Sequence, residues 1–204
     1  MIIIFDLDHT LMNSEKFKNC LPGIFKLTKK RFLCEIDIYF KGKKDLYSPL
    51  KHAVLRYKNG KINKKSYVKT KNKLFYLAKS TNSYVYSDAD RLLKKLRQKN
   101  NYLLLLSHGN CQWQRLKIKG LHIKGYFDRI IITDKKKTAA LKFLKNKKED
   151  ILIVNDSSLE NKEMLDFLGR GRAILIKSTH SYEIKHNYKL HSFKQATKVI
   201  MNNF

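Results

Sequence analysis

Five short apolar runs constrain this chain more than any other feature. They read MIIIF at residues 1–5, YLLLL at 102–106, RIII at 129–132, ILIV at 151–154 and AILI at 173–176. Apart from Arg129 and Tyr102 at their heads the runs are continuously apolar rather than alternating, and MIIIF, LLLL and ILIV have the pattern of strands buried on both faces. Segments of helical periodicity separate the last four: QWQRLKIKG, KTAALKFLKN and SLENKEMLDFLG. DADRLLKKLRQKN, with Asp88 near its start, precedes the second run, and SFKQATKVIMNN follows the fifth. Strands spaced by helices need right-handed crossovers and pair in parallel. The expected fold is therefore α/β, a three-layer doubly wound parallel sheet of five strands. Such sheets place ligands at the carboxyl edge of their strands.

Residues 13–86 break this rhythm, reading as polar and helical throughout. In DLYSPLKHAVLRYKNG a turn at Ser48 and Pro49 opens a helix with Leu50, Val54 and Tyr57 at helical spacing and a stop at Asn59 and Gly60. INKKSYVKTKNKLFYLAKS repeats the spacing with Tyr67, Leu74, Leu77 and Ala78. The expected division is a core of 1–12 and 87–204 and a helical insertion of 13–86. Lys51, His52, Arg56 and Tyr57 could contact a substrate, but a small helical core with a solvated face explains them first. Trp113 is expected to be core.

With 204 residues, 43% hydrophobic and 30% charged, the chain has room for one ordinary domain plus a modest insertion. No apolar run approaches the roughly 20 residues of a membrane span, and the expectation is a soluble cytoplasmic protein without a membrane partner. Cys20, Cys34 and Cys111 are widely spaced and form no CxxC pair, so neither a disulfide framework nor a zinc site is expected. The net charge of +27 raises the question of a nucleic-acid partner. Only eight of the 44 basic residues are Arg, however, and the lysine excess is spread over every segment alongside other residues with A/T-rich codons. Base readout and bidentate phosphate clamps lean on Arg. Nucleic acid is therefore not the favoured partner, and attraction of small anionic substrates is the milder consequence.

The strand ends carry the chemistry-bearing residues. Asp6 and Asp8 follow MIIIF and would share a side if the extended conformation persists. Two like charges so close need a cation or a proton. Ser107, with the backbone N–H groups of His108 and Gly109, would form a phosphate-sized anion nest. ITDKKKT runs straight into a helix, so Lys135, Lys136 or Lys137 could reach the same edge. Asp156 leaves ILIVN much as Asp6 leaves MIIIF, and Glu160 follows one helical turn later. Either Asp156 or Ser157 could cap that helix.

In this order the residues resemble the haloacid dehalogenase-like hydrolase superfamily. FDLDHTL matches its first motif, LLSHGN its second, a lysine of DKKKT its third and VNDSSLEN its fourth, and the insertion falls where the family places a helical cap. The chain departs at Asn155, where the family commonly has Gly or Asp, and at Glu160, where it often has a second Asp. The resemblance implies that Asp6 is a nucleophile forming an aspartyl-phosphate and that Asp8 is the general acid and then the base. It also implies Mg²⁺ held by Asp6, the Asp8 carbonyl and Asp156, and a charge-neutralising lysine. That lysine is expected to be Lys137, which directly precedes the helix, with Lys135 and Lys136 as rivals. Ser107, His108 and Gly109 would hold the phosphoryl oxygens, and Thr10 would order the loop by hydrogen bonding, with Asn110 and Glu160 in the second rank. An Asp at position 8 favours phosphate-ester chemistry over carbon–halogen cleavage. The implied function is a Mg²⁺-dependent phosphomonoesterase acting on a small phosphorylated metabolite of sugar-phosphate or nucleotide type. A phosphomutase or a polynucleotide-end phosphatase would use the same residues. A non-catalytic nucleic-acid or partner-binding protein on a degenerate core is the contrasting reading.

Overall fold

The structure, a computed structural model, describes residues 1–42, 46–178 and 190–203. In chain order the elements are β1 (Ile2–Phe5), α1 (Ser14–Lys18), α2 (Leu21–Phe25), α3 (Lys29–Phe40), α4 (Pro49–Lys58), α5 (Lys64–Lys79), α6 (Ala89–Gln98), β2 (Tyr102–His108) and α7 (Cys111–Lys119). Then come β3 (Arg129–Thr133), α8 (Lys137–Ala140), β4 (Ile151–Asn155), α9 (Ser158–Leu168), β5 (Arg172–Ile176), β6 (Leu190–His191) and α10 (Phe193–Asn203). Packing divides the chain into two compact units, Met1–Asn13 with Val85–His108 and His122–Phe204, and Ser14–Tyr84 with Gly109–Leu121. None of the described helices is long and apolar enough to cross a membrane.

The first unit is built on a parallel sheet of order β3-β2-β1-β4-β5-β6. The five long strands are those expected. The two-residue β6 is an addition that so short a segment could not announce by pattern. Register sets Ile4 beside Leu104 and Ile153. These side chains, with Ile2, Leu106 and Ile151, pack on Met164 and Leu168 of α9 and on Leu141 and Leu144. The alternate set, Ile3, Phe5, Leu103, Leu105, Leu152 and Val154, is equally buried. It faces the side of α6 and α10, which pack on each other, and Phe5 meets Phe127 edge to face at 6.2 Å. Helices on both faces complete the three layers.

The helix expected over KTAALKFLKN is only four residues long, followed by a 3₁₀ turn at Lys142–Leu144. Leu141 and Leu144 are both buried at the i, i+3 spacing that a 3₁₀ turn aligns. The Arg170 guanidinium then donates to the carbonyls of Leu144, Lys145 and Glu149 and ties down the segment that follows the turn.

In the second unit Thr28 and Asn63 cap α3 and α5 by accepting from Arg31 N and Ser66 N, and Pro49 opens α4. The buried stripe of α4 is not the expected Leu50, Val54 and Tyr57. Tyr57 is exposed and stacked on Tyr67, whereas His52 and Arg56 are buried beside Leu50 and Ala53. Both reach Glu35 of α3: His52 Nε2 and Arg56 Nε each stand 3.0 Å from its Oε2. A buried carboxylate that neutralises its partners lets them occupy core positions. α7 joins this unit although the sequence division left 109–121 with the core. Trp113 is buried and packs near Phe17 at 6.1 Å, and a Cβ on Gly120 would lie 2.5 Å from the Ala78 carbonyl oxygen.

Candidate active site

Side-chain alternation determines which residues can meet at the carboxyl edge. Asp6 continues the parity of Ile2 and Ile4, and Asn155 that of Ile151 and Ile153, so both turn toward the face covered by α8 and α9. Lys137 is the first residue of α8, and Glu160 lies in the first turn of α9. All four meet. Lys137 Nζ donates to Asp6 Oδ1 at 2.6 Å and to Glu160 Oε2 at 2.7 Å, with its side chain only 4% exposed. Asn155 Nδ2 donates to the same Glu160 oxygen at 3.0 Å.

Of the three adjacent lysines, Lys137 is thus the one that reaches Asp6. Lys136 is solvated and pairs with Glu163, while Lys135 uses its backbone N–H on Thr133 Oγ1. A cavity of about 300 Å³ lies beside this cluster, lined by His108, Lys136, Lys137, Thr138 and Glu160 among others.

Asp156 is buried just past β4, and Ser157 rather than Asp156 caps α9, accepting from Glu160 N at 3.2 Å. That leaves the Asp156 carboxylate for other duty. Ser178 Oγ donates to its Oδ2 at 2.8 Å. Sequence reasoning missed Ser178, although a polar residue two positions past a buried strand was the available signal.

The electrostatics follow from burial. Loss of water pushes the Asp6 carboxyl up to about 7; Lys137 pulls against this, and Asp156, Asp8 and Glu160 add to it. Burial also raises Asp156, opposed by the Ser178 hydrogen bond and by Lys137. For Glu160 burial is outweighed by Lys137 and Asn155, which hold it below the usual range. Burial disfavours the Lys137 ammonium, but Asp6 and Glu160 prevail and its pKa is raised.

The remaining expected residues are distributed less uniformly. Asp8 is half-buried at the start of a turn in which it bridges to Met12, and His9 takes φ +60°. Thr10 was expected to order that turn by hydrogen bonding, yet its hydroxyl is buried with no hydrogen-bond partner among the described residues. Ser107 Oγ is likewise buried without a partner among the described residues. His108 lies close enough to Glu160 to help hold it ionised. Gly109, at φ +149°, falls in the second unit, where a Cβ would lie 2.6 Å from Gln114 Nε2. Asn110 is committed to capping α7, accepting from Trp113 N at 3.1 Å.

Among the described residues no three His, Cys, Asp or Glu side chains gather into a ready-made metal cage. A hard cation that keeps several waters needs no such cage, only one or two carboxylates and a carbonyl. Asp6 and Asp156 fit it: both are buried and both are raised by burial, a cost that a cation would offset.

Comparison with known proteins bears on the fold and the family. The profile of haloacid dehalogenase-like hydrolases matches residues 3–164. A haloacid dehalogenase-like hydrolase of Burkholderia xenovorans superposes with a TM-score of 0.74 at 16% identity, over 97% of this chain and 94% of that one. The hydrolase YfnB of Bacillus subtilis, crystallised bound to magnesium, gives 0.61 at 13% identity over 100% and 98%. A protein described as a phosphoglycolate phosphatase, from Lactobacillus delbrueckii subsp. bulgaricus, gives 0.55 at 15% identity over 98% and 97%. No curated protein matches the sequence. These likenesses carry the fold; the family follows from the profile match across most of the sequence, and this chain belongs to the haloacid dehalogenase-like hydrolases.

Proposed function

We propose that the protein is a phosphomonoesterase that works through an aspartyl-phosphate on Asp6, using Mg²⁺ and a small phosphorylated metabolite. The observation that carries this reading is the buried contact of 2.6 Å between Lys137 Nζ and Asp6 Oδ1 at the carboxyl edge of the sheet. A carboxylate attacking a phosphate monoester must approach another anion, and an ammonium held against it lowers that barrier.

In the first step an Asp6 oxygen bonds to phosphorus as the ester P–O bond breaks, and the leaving oxygen takes a proton from Asp8. In the second, water attacks the aspartyl-phosphate, Asp8 accepts its proton, and inorganic phosphate leaves with Asp6 restored. Asp8 suits proton exchange because it is half-buried, whereas Asp6 is enclosed. The Ser107 hydroxyl, buried and without a partner among the described residues, is a donor suited to a phosphoryl oxygen. Bound Mg²⁺, held by Asp6, Asp156 and the Asp8 carbonyl, would supply charge neutralisation of the phosphoryl group. One structural relative crystallised with magnesium and another described as a phosphoglycolate phosphatase support this reading.

The test is phosphate release from an aryl phosphate and a panel of sugar phosphates and nucleotides, with and without Mg²⁺. Metal-dependent turnover in wild type, absent in a folded Asp6→Asn variant, is expected. Turnover that persists in Asp6→Asn would overturn the reading.

A further inference from the structure

The fourth motif departs from the family at Asn155, and the geometry gives that departure a use. Asn155 is 1% exposed, and both ends of its amide are engaged. Oδ1 accepts from the backbone N–H of Asp156 at 2.9 Å, and Nδ2 donates to Glu160 Oε2 at 3.0 Å. That same oxygen accepts from Lys137 Nζ. A continuous chain of hydrogen bonds therefore runs from Asp156 through Asn155, Glu160 and Lys137 to Asp6.

We propose that Asn155 is a positioning residue that locks Glu160 onto Lys137, so that Glu160 serves the lysine rather than the cation. The proposal rests on the reading that Lys137 assists Asp6. A side-chain amide fills both roles at once. An Asp could still accept from the Asp156 N–H but could not donate to Glu160, and would set a second carboxylate against it; a Gly would do neither. Glu160 is itself well placed for the duty. Ser157 receives the Glu160 backbone N–H and fixes the first turn of α9, and the side chain then points to the start of α8. Without Asn155 the Glu160 carboxylate would lose the Nδ2 donor that fixes it, and its hold on Lys137 would loosen. A lysine free to swing off its ideal position loses electrostatic effect in the transition state more than in substrate binding.

The experiment uses the full chain labelled with ¹⁵N. A buried ammonium held by two carboxylates exchanges its protons slowly, so Lys137 should give a lysine ammonium signal near neutral pH, assigned by its loss in Lys137→Met. In Asn155→Ala and Asn155→Asp that signal should broaden or shift. Outer-shell changes of this kind cost roughly 10–100-fold, and the loss is expected in kcat, with KM and the Mg²⁺ dissociation constant from calorimetry moving less than about threefold. Asn155→Asp, nearly isosteric, carries the test if Asn155→Ala does not fold. An unchanged Lys137 signal in both variants overturns the proposal, as does a weakening of Mg²⁺ beyond about tenfold with that signal intact. Absence of any turnover in wild type would count against the phosphomonoesterase reading alone, because the ammonium signal still decides the positioning role.

Discussion

Lys137 and Asp6 stand 131 positions apart in the chain and 2.6 Å apart in space, in a contact almost closed to water. Removing one partner of a buried ion pair typically costs about 3–5 kcal/mol, because the other is left buried and uncompensated. Lys137→Met should therefore both abolish turnover and lower the melting temperature by several degrees. Lys136→Met removes only a solvated pair with Glu163 and should change stability by less than about 1 kcal/mol. Thermal melts of the two variants, side by side, check this. Equal, small shifts would mean that the buried pair contributes nothing special.

Asp6→Asn should separate function from stability. The carboxyl is raised to about 7 because its burial costs more than Lys137 returns. An amide of the same shape carries no such charge, and Lys137 still has Glu160. We expect no phosphate release and a metal-free melting temperature at pH 8 equal to or above that of wild type. A large loss of stability would show that the Asp6 charge holds the site together.

Cation binding should depend on Asp156 and, more mildly, on Ser178. The Ser178 hydroxyl fixes Asp156 Oδ2 and so orients the carboxylate. Asp156→Asn should remove detectable Mg²⁺ binding by calorimetry, and Ser178→Ala should weaken it about 10-fold, the scale of an outer-shell change. Wild type should also gain melting temperature on adding Mg²⁺, since only the folded chain assembles the site. Unaltered Mg²⁺ affinity in Asp156→Asn would remove Asp156 from the ligand set.

How far the sequence could be read depended on whether a residue's partner was local. Asp6, Asp156 and Lys137 were legible because each sits where an apolar run stops or a helix starts, and the parallel sheet brings those points to one edge. Which of Asp156 and Ser157 caps α9 was open, since both residue types cap helices and only geometry shows that Ser157 does. Thr10 was misjudged for the opposite reason. Its residue type suits a turn hydrogen bond, yet the turn around His9 satisfies its backbone through Leu7 instead, whose carbonyl receives the N–H groups of Thr10, Leu11 and Met12. Glu160 was legible only as an acid one helical turn past Asp156, because its contact with Lys137 joins two helices that the fold alone brings together. Which of Lys51, His52, Arg56 and Tyr57 belong to the small helical core was illegible, because Glu35, which makes His52 and Arg56 tolerable there, lies on another helix.

That buried cluster gives the second unit its own acid sensitivity. His52 stacks on Phe25 at 4.5 Å, is fully enclosed, and shares Glu35 Oε2 with Arg56, which also donates to the Phe25 carbonyl. Burial lowers its pKa; Glu35 opposes this and Arg56 reinforces it, and the net direction is down. An unfolded chain takes up the proton near the ordinary value of about 6.5, whereas the folded chain resists it. The unfolded state then binds more protons below that pH, so stability is present above about 6.5 and falls as the pH drops further. His52→Phe fits the aromatic surroundings of Phe25, Phe32 and Phe40 and cannot titrate. The expected result is a melting temperature that falls between pH 7 and pH 5 in wild type and falls less steeply in His52→Phe. Parallel curves would mean that His52 protonates as readily in the folded chain as in the unfolded one, and that acid sensitivity has another origin.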